Sequence, residues 1–173
     1  MNVFILMNGG SKMDRLKELR KYTDKMLREN VSDADTLKSA YVHLYGVSLA
    51  SSLISEKRGL DTETACMAAM LHDMYAYTAG TYEDHAHKGA ELARRILDKA
   101  QLTAPEETDT ICSAIYHHDD KASVDAPMDE VLKDADVMHH TMNNMNKPVK
   151  EKEQKRYEAL RKEFGLKQRD FTK

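Results

Sequence analysis

The chain of 173 residues holds only two cysteines, Cys66 and Cys112, far apart and each in apolar surroundings. No C-x-x-C pair exists, which excludes a zinc ribbon or a thioredoxin-like motif and makes both cysteines candidate buried free thiols. An excess of charge of one sign is also lacking. The net charge is −3, and no block of five or six like charges occurs, so the sequence carries no electrostatic footprint for nucleic acid. Long hydrophobic runs are missing too. The stretch Val3-Phe4-Ile5-Leu6-Met7 is too short for a membrane span or a signal-peptide core. No segment alternates at period two for long enough to demand a strand, and there is no internal repeat or low-complexity tract. These absences leave a cytoplasmic, all-α chain as the expectation, with no membrane and no nucleic-acid partner.

The chain reads as helix after helix. Ser11 is the expected cap of a first helix ending near Asn30, and Asp33 or Asp35 starts a second that stops at Gly59. Asp61 caps a third, from Thr62 to about Tyr75. Its run Ala65-Cys66-Met67-Ala68-Ala69-Met70 is apolar on nearly every side, which marks it as the buried central helix. Tyr77 to Tyr82 reads as a loop, followed by a helix from about Glu83 to Lys99. Thr103-Ala104-Pro105-Glu106 has the form of a capping box, opening a helix that runs to His118. Pro127 opens another, Pro148 breaks the chain, and a charged helix from Glu151 to Phe164 ends at Gly165. The domain reading is an extension over residues 1–12, with Met13 as an alternative start, one domain over 13–166 and a tail over 167–173. A chain this long can bury roughly 70% of its unfolded surface, so it needs no structural metal to fold. A bound metal would serve chemistry.

All eight histidines lie between His43 and His140, and imidazole with carboxylate is the usual donor set for divalent transition metals. His43, mid-helix, reads alone as a hydrogen-bonded core histidine. His72-Asp73 ends the apolar third helix, where a buried charge is costly unless a cation or an arginine meets it. His85 starts a helix, one turn before Gly89, whose missing side chain would leave room above the imidazole. His87 is rotated about 200° from His85 and reads as solvated. His117 and His118 are about 100° apart, so one of the two aims at a shared ion and the other lies beside it. Asp136 is flanked by apolar residues, whereas Asp134 reads as exposed. His139 and His140 read as surface residues, with His140 an outer partner of Asp136 as the second option. Lys121 is a candidate contact for substrate phosphate or a solvated loop lysine, and at most one of Arg94 and Arg95 can face the site.

The ordered set His43, His72-Asp73, His85, His117-His118, Asp136 resembles the HD-domain superfamily of metal-dependent phosphohydrolases. The similarity spans residues 36–145 and is carried by Ala68-Ala69-Met70-Leu71-His72-Asp73, His85-x-x-x-Gly89-Ala90-Glu91-Leu92 and Lys133-Asp134-Ala135-Asp136. It implies a single-domain HD-type helical bundle with the metal site between helices. It further implies that His43, His72, Asp73 and Asp136 hold one metal, and that Asp73 bridges to a second held by His85 and by His117 or His118. One or two divalent ions are expected, and the donor types suit Fe, Mn, Co, Ni or Zn better than Mg. The implied activity is hydrolysis of a small phosphorylated substrate, a nucleotide or phosphate ester. A water or hydroxide bridging the ions would attack phosphorus, with Asp73, His72 and Lys121 as the catalytic group.

Departures from named branches narrow this reading. The G-Y-P stretch of HD-GYP cyclic di-GMP phosphodiesterases is replaced by Asp119-Asp120-Lys121-Ala122-Ser123, and the acidic pair of alarmone hydrolases by Met74-Tyr75-Ala76-Tyr77. The likeness to diadenosine tetraphosphate hydrolases is partial. Two rivals remain: a di-iron HD-type oxygenase, and a non-catalytic nucleotide-binding sensor.

Overall fold

Aspartates start the first three helices by accepting backbone N–H groups that no helical carbonyl can reach. Asp14 accepts from Lys17 at 2.9 Å ahead of Arg15–Asn30 (α1), Asp33 from Thr36 at 2.7 Å ahead of Ala34–Arg58 (α2), and Asp61 from Thr64 at 2.7 Å ahead of Thr62–Leu71 (α3). The remaining helices are Met74–Ala79 (α4), His85–Ala100 (α5), Pro105–His117 (α6), Pro127–Asn143 (α7) and, after a single 3-10 turn at Glu151–Glu153, Gln154–Glu163 (α8). This computed structural model describes residues 14–167, and no strand occurs among them. The expected Ser11 cap, the 1–12 extension, the Met13 start and the tail beyond residue 167 lie outside the described residues.

The apolar third helix is central, as its composition predicts. Every residue of α3 from Thr64 to Leu71 is buried, and α1, α2, α6 and α7 pack around it. Met67, Met70, Leu44, Ile111 and Ile115 are fully enclosed in this core. Truncating one such side chain to alanine costs ~2–5 kcal/mol. Cys66 and Cys112 are buried free thiols. No helix among the described residues is long and apolar enough to cross a membrane.

Three local expectations change. The third helix does not continue to Tyr75: it breaks at His72-Asp73, where Asp73 leaves helical geometry (φ −105°, ψ 9°), and α4 then occupies much of the expected loop, up to Gly80. Gly80 sits at φ 67°, a conformation glycine adopts without a Cβ penalty. The Thr103 capping box does not form, because the residue flanking α6 is Ala104; Thr103 instead meets Thr108 through its hydroxyl at 2.7 Å. The room at Gly89 belongs to another group as well: a Cβ there would lie 3.1 Å from the His72 carbonyl oxygen, so the glycine lets α5 approach the broken α3–α4 turn.

Asp134, expected in solvent, is buried in an ionic network that straps α8 onto α2 and α7. Arg58 donates to Asp134 at 2.7 Å and to Glu163 at 2.7 Å, while Arg156 reaches Asp134 at 2.9 Å and Glu130 at 2.8 Å. The Arg156 guanidinium also holds the carbonyls of Lys121 (2.9 Å) and Ser123 (2.8 Å), fixing the loop between α6 and α7. The fully buried Lys133 ammonium adds the Ser123 carbonyl and the Asp125 and Glu130 carboxylates.

Replacing Asp61 by alanine removes the cap of the central helix and should lower unfolding free energy by ~1 kcal/mol in urea titrations. Hydrogen bonds from the Thr64 side chain and backbone depress the Asp61 pKa. The capping contribution is therefore present above the unfolded carboxyl value of about 3.9 and lost as pH falls through the lower folded value. Equal stability of wild type and Asp61→Ala at neutral pH would contradict this role.

Candidate metal centre

Four imidazoles and two carboxylates converge where α2, the α3–α4 turn, the start of α5, the end of α6 and the middle of α7 meet. His43 Nε2 lies 3.0 Å from His72 Nε2, 3.2 Å from Asp73 Oδ2 and 3.6 Å from Asp136 Oδ1. On the other side of the same carboxylate, Asp73 Oδ1 lies 3.4 Å from His85 Nε2 and 3.4 Å from His118 Nε2. Two donor groups thus share Asp73: His43-His72-Asp73 and Asp73-His85-His118, each with ligand atoms within 4.8 Å of one another. A third grouping of the same tightness joins His43, Asp136 and His140.

The orientation of three rings follows from helix ends. His72 Nδ1 donates to the Ala69 carbonyl at 2.7 Å, His85 Nδ1 to Tyr82 at 2.9 Å and His118 Nδ1 to Ile115 at 2.7 Å. Each carbonyl lies three residues earlier, at a helix terminus or in the turn before one, and those of Ile115 and Tyr82 also take the backbone N–H of the same histidine at 3.4 Å. A carbonyl only accepts, so the proton sits on Nδ1 and the Nε2 lone pair faces inward.

The result is a knot of acceptors with few donors. Asp73 Oδ1 and Asp136 Oδ1 are both buried and accept no well-directed hydrogen bond. Buried polar atoms left in this state are uncommon and unfavourable, and a cation among them would supply the missing positive charge. The nitrogen and oxygen donors fit a divalent transition metal.

Electrostatics point the same way. Burial pushes the His72 pKa down to about 3, which keeps that ring neutral. Burial also opposes charge on His43, but its hydrogen bond to Asp73 and the charges of Asp136 and Asp73 outweigh it and raise its pKa. Asp73 and Asp136 are both held well below the carboxylate range despite burial, Asp73 by His72 and His118 and Asp136 chiefly by Lys121.

The structure places several expected residues differently. His117 leaves the group: its Nδ1 meets Asp129 Oδ2 at 2.9 Å, its side chain is 37% exposed, and the helical rotation of one residue hands the inward position to His118. Lys121 is neither solvated nor aimed at a substrate. Its side chain is 1% exposed, and its ammonium bonds Asp136 Oδ2 at 2.6 Å and the His118 carbonyl at 2.7 Å. His139 and His140 are half-buried rather than superficial. His140 spans Asp136 Oδ1 (3.3 Å) and the buried Glu153 (3.1 Å), and His139 Nδ1 meets His43 Nδ1 at 3.1 Å. The only trace of this in the sequence is their position one turn beyond Asp136. His87 is exposed, as expected. Arg94 and Arg95 both point away, Arg94 to Asp109 on the surface.

The cluster floors an open cavity of about 850 Å³. Tyr77 and Tyr82 form one wall, with ring centroids 6.5 Å apart, and Lys38, Lys150 and Lys152 stand along the cavity together with Asp35 and Asp119. Burial raises the pKa of both tyrosines, so they remain neutral phenols.

The HD domain family matches residues 40–141, and the chain belongs to that family. Among solved structures, the chain is similar to a predicted HD superfamily hydrolase from an uncultured Thermotogales bacterium. The two share 22% identity over 84% of this chain and 88% of the other, with a TM-score of 0.56. No curated protein matches the chain.

Two outcomes follow. Because a proton on His43 competes with a cation for the same nitrogen, metal affinity should fall as pH drops, beginning above the ordinary imidazole value of about 6.5. Isothermal titration with Mn²⁺ across pH would show it, and a pH-independent affinity would contradict it. Lys121→Met leaves Asp136 a buried carboxylate without its cationic partner and should destabilise the metal-free protein by ~3 kcal/mol in urea denaturation.

Proposed function

We propose that the chain is a metal-dependent phosphohydrolase acting on a small phosphorylated substrate, with a nucleotide as the favoured class. The observation that carries this reading is the pair of unpartnered carboxylate oxygens, Asp73 Oδ1 and Asp136 Oδ1, among inward-facing imidazoles at the base of an open cavity. His43, His72, Asp73 and Asp136 would hold one divalent ion and Asp73, His85 and His118 a second, with Asp73 shared. Divalent ions there would lower the pKa of a water toward neutrality and offset the charge of phosphoryl oxygens.

The chain's own groups supply the rest. Asp73 stays a carboxylate and directs one oxygen to each group. Lys121 ties Asp136 Oδ2 and so leaves Oδ1 facing His43, which makes the lysine a positioning residue. Lys38 offers an ammonium group to phosphate oxygens along the cavity, and Lys150 and Lys152 would turn to them from their pairings with Glu153 (3.3 Å) and Asp119 (2.7 Å). The apolar faces of Tyr77 and Tyr82 provide a surface on which a nucleobase can lie, with their hydroxyls as donors.

The test is metal analysis of anaerobically purified protein, followed by phosphate release from nucleotides and dinucleotides with Fe, Mn, Co, Ni or Zn. Chelation should abolish release and re-addition should restore it. Asp73→Ala should lose both bound metal and hydrolysis, a fall of at least ~10³-fold in rate if the charge clamp supplies ~4 kcal/mol. Hydrolysis surviving Asp73→Ala would refute the scheme. Dioxygen uptake by the ferrous protein in place of phosphate release would replace it with oxygenase chemistry, and tight nucleotide binding without turnover would replace it with a sensor.

A further inference from the structure

The four imidazoles that face Asp73 are not anchored alike. His72, His85 and His118 each spend Nδ1–H on a backbone carbonyl three residues earlier. His43 has no such carbonyl. It lies in the middle of the long helix α2, where the carbonyls of the preceding turn serve the helix's own hydrogen bonds. Its Nδ1 instead meets another side chain, His139 Nδ1, at 3.1 Å. The two rings stand edge to face, with centroids 5.0 Å apart and planes at 69°.

His139 occupies a slot made for it. A Cβ at Gly46 would lie 2.2 Å from His139 Cδ2 and 2.5 Å from its Nε2, closer than any tolerated contact. Gly46 sits inside α2, where glycine is ~1 kcal/mol worse than alanine. The helix therefore carries an unfavourable residue at the point where the ring lies against it. The Val42 carbonyl, one turn before Gly46, acts on the His139 ring as an acceptor that favours a proton there. With Nδ1 turned to His43, Nε2 is the nitrogen left to donate to that carbonyl.

We infer that His139, seated in the Gly46 gap and anchored on the Val42 carbonyl, is a positioning residue that sets the tautomer of His43. The proton order is fixed from the backbone inward. The Val42 carbonyl accepts the His139 Nε2–H, so His139 Nδ1 carries a lone pair. That lone pair accepts the His43 Nδ1–H, and His43 Nε2 is left bare beside Asp73 and Asp136. His139 thus does for a mid-helix ligand what a carbonyl at a helix end does for the other three. The inference rests on the reading of His43 as a metal ligand. Outer partners of this kind govern ligand orientation and basicity, and removing one typically costs on the order of 10–100-fold in metal affinity.

The experiment compares Co²⁺ affinity, by chelator competition, and the visible Co²⁺ spectrum for wild type, His43→Ala, His139→Phe, His139→Gln and Gly46→Ala, with the unfolding midpoint of each metal-free protein alongside. His139→Phe should bind Co²⁺ about 10–100-fold more weakly and shift its spectrum. His139→Gln should recover most of the affinity, because its amide can donate to the Val42 carbonyl and accept from His43 Nδ1–H. Gly46→Ala should mimic His139→Phe in metal binding even where the added helix propensity raises the midpoint. Affinity and spectrum unchanged in His139→Phe, with metal lost in His43→Ala, would overturn the positioning role alone. Unchanged affinity in His43→Ala would overturn the reading of His43 as a ligand, and this inference with it. A glutamine variant as weak as the phenylalanine variant would also count against the proton order.

Discussion

The structure depends on one electrostatic constraint: acceptor atoms are gathered in the interior with too little positive charge to balance them. Asp73 and Asp136 each leave a buried oxygen without a hydrogen bond, and the neighbouring imidazoles turn lone pairs toward them. In a low-dielectric interior such a cluster repels itself, and the protein tolerates it only through compensations placed around its edge. Lys121 supplies the buried positive charge on one side, and His140 with Glu153 extends the arrangement toward α8. A group held in this condition is prepared for a cation, which is the physical content of belonging to the HD domain family.

The helices serve this constraint through their ends more than their middles. Ala69 and Ile115 lie in final turns and Tyr82 just before a first turn, and the carbonyl of each fixes a histidine three residues later. The break between α3 and α4 places Asp73 at a corner, so its two oxygens face two different sets of rings. Gly89 permits α5 to press against that corner within contact distance of the His72 carbonyl, bringing His85 to the far side of Asp73. Packing of the apolar α3 at the centre holds the corner in place.

Much of this is legible in the sequence alone. Capping aspartates, the apolar stretch Ala65–Met70 and the prolines at 105 and 127 located most helices, and the ordered histidines and aspartates include the residues that gather in the candidate site. What stayed hidden depended on rotation and on distant partners. Adjacent histidines differ by about 100°, so a pattern cannot say which one turns inward; Asp129, at the start of the next helix, captures His117. Asp134 looks solvated until Arg58 and Arg156, from helices far apart in the sequence, close on it. Lys121 looks like a loop lysine because nothing local announces that Asp136, fifteen residues later, will bury it. His139 and His140 look superficial because the gap at Gly46 and the carboxylate of Glu153 come from other elements.

Arg156 ties these observations together from outside the stretch shared with the family, which ends at residue 141. Its guanidinium grips the carbonyls of Lys121 and Ser123 while pairing with Glu130 and Asp134, and Asp134 in turn engages Arg58. The lysine that ties down Asp136 is thus itself steadied by the last helix. A change in this peripheral strut would therefore reach the charge balance of the central cluster through Lys121 without touching any histidine.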